Sequence, residues 1–252
     1  LFGWEEKYPV RDMGNGKVRA AGVAMAMQGS CISNVDVGSA TVKLGEDGTY
    51  NLIIGAADMG TGCDTILAQM VAECMDCDVS QVAVFGADTD ASPYDSGSYA
   101  SSTTYITGKA VEKACADLKN RIRAIASQML GCAPGDTVFE GHQVRREGSD
   151  EAVSLGDIAY KTQVGNALAA ESTATHSSPI SPPPFMVGMV EIELDRLTGL
   201  VTVLDYAAVV DCGIPINPAL ATIQTEGGIV QGIGHTLMED VTYDPSGRPA
   251  ES

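Results

Sequence analysis

The residues best placed to do chemistry fall in three short runs rich in glycine, hydroxyls and amides. In Met59-Gly60-Thr61-Gly62-Cys63-Asp64-Thr65, two close glycines sit where an apolar run, Tyr50 to Ala57, gives way to a helical pattern. Glycine lets a backbone approach a ligand, and the N–H groups that open a helix favour negative charge. The run therefore reads as an anion cradle for a phosphate or another electron-rich group, or as a plain tight turn. It matches neither the P-loop nor the GxGxxG pattern. A second run, Asp95-Ser96-Gly97-Ser98-Tyr99-Ala100-Ser101-Ser102-Thr103-Thr104, also leads into a helical pattern. The third goes from Asp211-Cys212-Gly213 through Ile216-Asn217-Pro218 to Gln224-Thr225-Glu226-Gly227-Gly228-Ile229-Val230-Gln231-Gly232-Ile233-Gly234. Metal-ligating side chains, by contrast, are scattered: His142, His176 and His235 lie far apart, and Cys74-Met75-Asp76-Cys77 has no second pair near it. That CxxC reads as part of a core or a helix end.

Taken in order, the three runs resemble the molybdenum-cofactor-binding subunit of the xanthine dehydrogenase and aldehyde oxidase family, from about Gly22 to the last residue. The wording is nearest to bacterial members similar to purine, nicotinate or hydroxybenzoyl-CoA enzymes. The resemblance implies a molybdopterin cofactor, in bacteria often its cytosine dinucleotide form, whose dithiolene sulfurs hold the molybdenum. The protein then grips the pterin and phosphates and supplies no direct metal ligand. It implies that the family's Met-Gly-Gln-Gly loop falls on Met59, Gly60, Thr61 and Gly62, with Thr61 in the glutamine's place; a hydroxyl reaches less far and makes fewer hydrogen bonds than an amide. It places Ala100 and Ser101 beside the cofactor, Thr103 at a second hydroxyl position, and Gln224 at the glutamine before Glu-Gly-Gly, with Ile223 where glycine is common. Tyr99 falls beside the substrate, where it narrows the pocket toward a planar aromatic molecule, or else packs at a strand end. Met25 falls near a substrate-stacking aromatic, or else fills a core. Glu226 reads as a helix-surface residue, Asp58 as a turn residue and Asp64 as a helix cap.

The implied activity is that of a molybdenum hydroxylase oxidising an aromatic N-heterocycle or an aldehyde. The family's catalytic glutamate falls beyond Ser252, so no catalytic residue is expected here, and the chain reads as a fragment without turnover of its own. The implied partners are the N-terminal half of the molybdopterin subunit and components carrying 2Fe-2S clusters and FAD. Two other readings stay open: a subunit of a reductase resembling hydroxybenzoyl-CoA reductase, and a non-catalytic cofactor-binding or assembly module, which the departures at Thr61 and Ile223 motivate.

Composition narrows the setting. A chain of 252 residues with 44% hydrophobic content can bury a substantial core. A formal net charge of −18 argues against nucleic acid and anionic membrane surfaces, which recruit Lys and Arg. No apolar run suits a membrane span, the first residues lack a signal-peptide layout, and seven scattered cysteines suit reduced thiols, so a cytoplasmic location is expected.

The elements that position the runs follow from periodicity. Ser39 to Leu44 and Thr49 to Ile54 predict a hairpin feeding the glycine run. Helical spacing predicts helices over about 64–77, 107–130, 154–163 and 222–239, a strand near 81–85, a short hairpin around Val138 and Val144, and a long one over 186–194 and 200–210. Ser177 to Pro184, with three consecutive prolines, reads as a linker. The expected fold is α+β, with mixed sheets covered by helices on one face in two related lobes, 1–176 and 177–252. The four glycines of the last helix lower its propensity and call for close packing or a ligand.

Overall fold

Alternating apolar and polar residues build the sheet that carries the first two runs. The computed structural model describes residues 2–164 and 169–250, so Leu1 and Glu251-Ser252, at the outer ends of the expected lobes, lie outside the described residues. The chain forms two compact units, one spanning Gly29–Pro182 and the other combining Leu1–Gln28 with Pro183–Ser252. This division differs from the expected 1–176 and 177–252, because the first residues pair with the C-terminal segment through their strands. The boundary at 182/183 does fall inside the proline-rich stretch.

In the unit 29–182, strands β3 (Gly38–Leu44) and β4 (Tyr50–Ile54) form the expected hairpin. Asp47 closes its turn by accepting hydrogen bonds from the Thr49 amide at 3.0 Å and the Thr49 hydroxyl at 2.7 Å. β5 (Val82–Gly86) pairs parallel to β4, and β9 (Glu171–His176) pairs antiparallel to β3, giving a mixed sheet ordered β5-β4-β3-β9. Helices α2 (Cys63–Met75) and α3 (Thr103–Leu130) present Leu67, Val71, Val111, Leu118 and Ile122 to one core with Val42, Tyr50, Leu52 and Ile54 of the sheet. Burying side chains of this size stabilises by about 1.5–3 kcal/mol each. A small antiparallel sheet of β6 (Thr137–Phe139), β7 (Gln143–Arg146) and β8 (Ala152–Ser154) precedes α4 (Leu155–Val164). Ser154 and Asp157 interact at the start of α4, the Ser154 oxygen accepting from the Asp157 amide at 3.1 Å.

The other unit contains a short helix α1 (Trp4–Lys7) and an antiparallel sheet ordered β1-β2-β10-β11. Its strands are β1 (Val10–Gly14), β2 (Lys17–Met27), β10 (Phe185–Asp195) and β11 (Val201–Asp211). β10 and β11 are the expected long hairpin, whereas β1, β2 and β9 were not foreseen. Glu191, the unit's buried charge, is paired with Lys7 and Arg11. Helix α5 (Pro218–Leu237) starts with the Asn217 side-chain oxygen Oδ1 capping the Leu220 amide at 3.1 Å and has no buried residue. The α+β class holds, but this antiparallel sheet departs from the expected mixed, helix-covered type: in β2, residues 22–27 are exposed throughout. No described helix is long and apolar enough to cross a membrane.

Candidate functional site

The parallel pairing of β4 and β5 decides where the first two runs lie. Tyr50 pairs with Val82 and Ile54 with Gly86, so both strands end at the same edge of the sheet. The glycine run leaves β4 there and enters α2, while the chain leaving β5 passes through the serine-rich run into α3. The two crossings touch at Gly55, where a Cβ would lie 2.4 Å from the Pro93 carbonyl oxygen and 2.6 Å from Asp95 Cβ. Only glycine fits so close an approach. The carboxyl edge of parallel strands is where open α/β sheets bind ligands.

Within the glycine loop, the Asp58 carboxylate takes the N–H groups expected to face a ligand. Oδ1 accepts from the amides of Gly60 at 2.9 Å and Gly62 at 3.1 Å, and Oδ2 from that of Asp64 at 3.3 Å. Burial pushes the Asp58 carboxyl up, but the N–H groups of Gly62, Gly60, Asp64 and Thr61 outweigh it and hold the acid below its usual value. The expected anion cradle is therefore filled from within the chain. Gly62, in the left-handed conformation at φ 76°, is the N-cap of α2, so Asp64 is not the cap; burial and the neighbouring Asp58 charge raise its carboxyl instead. The Cys63 thiol is pushed up to about 11 by burial and by the charges of Asp58 and Asp64. Asp58, Cys63 and Asp64 offer ligand atoms within 4.8 Å of one another, but a protonated thiol and a carboxylate already saturated with N–H bonds make a poor cation site. Met59 is 69% exposed, Gly60 and Thr61 are exposed, and a Cβ on Gly60 would meet nothing within 4 Å.

The serine loop is organised differently. Asp95 accepts from the Gly97 amide at 2.9 Å and from the Thr107 hydroxyl at 2.8 Å, tying the loop to the second turn of α3. Ser96 exchanges hydrogen bonds with the Val37 backbone, at 3.0 Å and 2.9 Å. Ala100 and Ser101 are consecutive non-glycine residues in the left-handed region, at φ 53° and 56°. Such conformations are held only where the surroundings impose them. A left-handed residue followed by right-handed Ser102 turns successive N–H groups toward one side. The Ser102 side chain does not cap α3, and among the described residues the Ser101 hydroxyl has no partner. The first turn of α3, containing Thr103, thus keeps its N–H groups open. Tyr99 is 47% exposed and begins a short 3-10 turn, with its ring within 3.1 Å of where a Gly97 Cβ would be; it does not pack at a strand end.

The remaining site candidates belong to the other unit. Met25 lies on β2 opposite Val187 and is 75% exposed, so it fills no core within the described residues. Gln224 and Glu226 lie exposed on α5. A Cβ on Gly227, Gly228 or Gly232 would touch nothing within 4 Å, so packing among the described residues does not account for these glycines. The structure groups Met59, Gly60, Thr61 and Gly62 with Tyr99, Ala100, Ser101 and Thr103 at one sheet edge. Asp58, Asp95 and Gly55, which organise that edge, were missed as site residues.

Comparison with known proteins identifies the family. The family model described as molybdopterin cofactor-binding domain matches residues 1–252. The probable hypoxanthine oxidase XdhD of Escherichia coli (strain K12) is 36% identical over 229 residues, covering 90% of this chain and 24% of that protein. The xanthine dehydrogenase molybdenum-binding subunit of Escherichia coli O157:H7 is 35% identical over 256 residues, covering 97% of this chain and 34% of that protein. The crystal structure of quinoline 2-oxidoreductase from Pseudomonas putida 86 superimposes with a TM-score of 0.81 at 27% identity, over 94% of this chain and 32% of that one. The chain thus spans about a quarter to a third of these relatives' length. With its whole length matched and its two loops delivered by parallel strands to one sheet edge, the chain belongs to the molybdopterin cofactor-binding domain family of the xanthine dehydrogenase type.

Proposed function

We propose that the chain forms the molybdopterin-binding part of a molybdenum hydroxylase that oxidises an aromatic N-heterocycle or an aldehyde inside a larger assembly. The observation that carries this reading is the serine loop: the left-handed Ala100-Ser101 pair, the unengaged Ser101 hydroxyl and the uncapped N-terminus of α3 suit an electron-rich cofactor group. The glycine loop suits a different contact. With its N–H groups held by Asp58, it offers the Met59 side chain and the bare face of Gly60 to a flat ring and leaves no anion site.

The bound cofactor supplies a redox-active metal on sulfur ligands of its own. The chain's part is to hold and orient it. Ser101 donates or accepts through its hydroxyl, Thr103 stands in the open first turn, and Gly60 and Gly62 keep the loop in its left-handed shape. Thr61 lies exposed in the loop and, through the resemblance, takes the glutamine's place beside the cofactor. Gln224 as a cofactor contact, and Tyr99 and Met25 as substrate-side residues, remain part of the proposal through the resemblance. So do the cytosine dinucleotide form, 2Fe-2S and FAD components on partner subunits, the N-terminal half of the molybdopterin subunit, and a cytoplasmic location.

The test is molybdenum by elemental analysis, together with the released pterin nucleotide, on the assembly purified from its native source through this chain. Near-stoichiometric metal and pterin, with Ser101→Ala lowering both, are the expected result. An intact assembly with neither would leave a cofactor-free binding or assembly role.

A further inference from the structure

The C-terminal end of β9 is tied to α3 through a lysine and a histidine. The Lys113 ammonium, on α3, lies 2.9 Å from His176 Nδ1 and 3.4 Å from the Thr175 carbonyl oxygen. An ammonium only donates, so Nδ1 is the unprotonated, accepting nitrogen and the ring proton sits on Nε2. Nε2 is buried and has no hydrogen-bond partner among the described residues; the Tyr105 ring stands edge-to-face with the imidazole, 6.2 Å between centroids. This tie adjoins the start of the helix that leaves the serine loop. Tyr105, in the first turn of α3, shares a hydrogen bond with the buried Ser178 hydroxyl at 3.1 Å, and the Ser178 carbonyl oxygen accepts from the Asn34 amide at 2.8 Å.

We propose that Lys113 and His176 form a latch, closed while His176 is neutral and opened by its protonation, that fixes the end of β9 to the helix leaving the serine loop. A second ring proton has to go on Nδ1, where its N–H points at the Lys113 ammonium. A hydrogen bond then becomes a contact between two cations. Among the described residues no carboxylate pairs with His176 to offset this, whereas His235 has Glu239 at 3.4 Å. On α3, Lys109 is a further cation near the ring, Glu112 is engaged by Lys109 at 2.6 Å, and Tyr105 brings a phenol. β3 brings Gly38 and Ser39, and the segment after β9 brings Ser177 and Ser178, none of them charged. Burial, Lys113 and Lys109 hold the imidazole below its usual value, with Glu112 opposing them. The latch is therefore complete above about pH 6.5, where the unfolded side chain is also neutral, and is lost as pH falls below that value. Lys113, exposed and on a long stem, is the partner that swings away to water, and it gives up the Thr175 oxygen as it goes.

The latch does not depend on the cofactor reading, so the two fail separately. Deuterium exchange at the histidine C2 carbon, measured by mass spectrometry across pH on the full-length protein in its assembly, gives the titration midpoint of each histidine. Trypsin cleavage after Lys161 and Arg196 leaves His176 as the one histidine of its peptide. The expected midpoint for His176 lies below about 6.5 and moves up in Lys113→Gln, which removes the facing cation. Amide protection over residues 174–178 is expected to fall across the same pH window. In His176→Asn, whose side-chain oxygen accepts from Lys113 without titrating, that fall is expected to disappear. A midpoint at or above 6.5 in the unaltered protein, a midpoint that Lys113→Gln leaves in place, or a fall in protection that persists in His176→Asn overturns the proposal. The midpoint in the unaltered protein decides the matter even if a variant misfolds.

Discussion

Asp58 governs the glycine loop by occupying the N-terminus of α2, where a helix concentrates partial positive charge. Replacing it with alanine leaves the amides of Gly60, Gly62 and Asp64 to water. The expected cost is about 1 kcal/mol, as for loss of a helix cap, read as a lower denaturation midpoint. The pH dependence has a definite sign. Because the folded-state carboxyl is held below its unfolded value, its contribution is complete above the ordinary carboxylate range and is lost only as pH falls through the lowered value. Protection of the Gly60 and Gly62 amides relative to their intrinsic exchange rates should therefore persist through the ordinary carboxylate range and be lost only below it, and Asp58→Asn should remove that step. An unchanged profile in Asp58→Asn would show that the carboxylate does not hold the loop. The turn was legible, and Asp58 reads from the sequence as a turn residue. Asp12, Asp58, Asp95 and Asp211 each accept, at 2.9–3.1 Å, from the amide of a glycine two residues on, and all four glycines have positive φ. Asp-x-Gly is an Asx-turn signature visible in the sequence. What the sequence did not reveal is that at Asp58 the same carboxylate also reaches the start of the next helix.

At the scale of elements, two glycines let the helices and loops come together. Gly55 lets the chain at Pro93–Asp95 cross the end of β4, and Gly108 lets α2 and α3 close on each other. Gly55→Ala sets a methyl 2.4 Å from the Pro93 carbonyl oxygen, so backbone has to shift. The expected result is a loss of about 1–3 kcal/mol, and reduced molybdenum content in the assembly even under conditions where the protein stays folded. Normal metal content in a folded Gly55→Ala protein would separate the two loops functionally. The sequence carried α2, α3, α4, α5 and both main hairpins because their apolar residues repeat at 3.6 or 2, and observed ends fall within a few residues of those expected. It did not carry β9, whose run Glu171-Ser172-Thr173-Ala174-Thr175-His176 lacks apolar alternation. Its place is set by long-range pairing with β3, through hydroxyl contacts between Thr41 and Thr173 at 2.7 Å and Ser39 and Thr175 at 2.9 Å. β2 was missed for a related reason: Ala20, Ala21, Gly22, Ala24 and Ala26 carry little pattern, and its neighbour β10 lies far along the chain.

For the molecule as a whole, the two units differ in how they are stabilised. The unit 29–182 has a continuous apolar core, whereas Phe2 is the buried apolar side chain of the other among the described residues. The antiparallel sheet of that second unit presents an apolar face to solvent: Met27 opposes Phe185, Val187 lies between Met25 and Val209, and Met189 lies between Val23 and Ala207. Met27, Met25, Val209 and Val23 are 66%, 75%, 65% and 56% exposed, and β11 is an open edge strand of 11 residues. An exposed face of this kind, bounded by an unprotected edge, favours association. The isolated 252-residue chain should therefore self-associate, with the mass seen by light scattering rising with concentration. Introducing Met25→Lys and Val209→Lys together places charges at already exposed positions, where substitution costs folding stability less than about 0.5 kcal/mol each. The double variant should shift the association to higher concentration without lowering the unfolding midpoint of the unit 29–182, whose core it does not touch. A chain that stays monomeric at high concentration would show that the face does not drive association; self-association undiminished in the variant would move the contact away from the Met25–Val187–Val209 row, toward the apolar side chains exposed on α5.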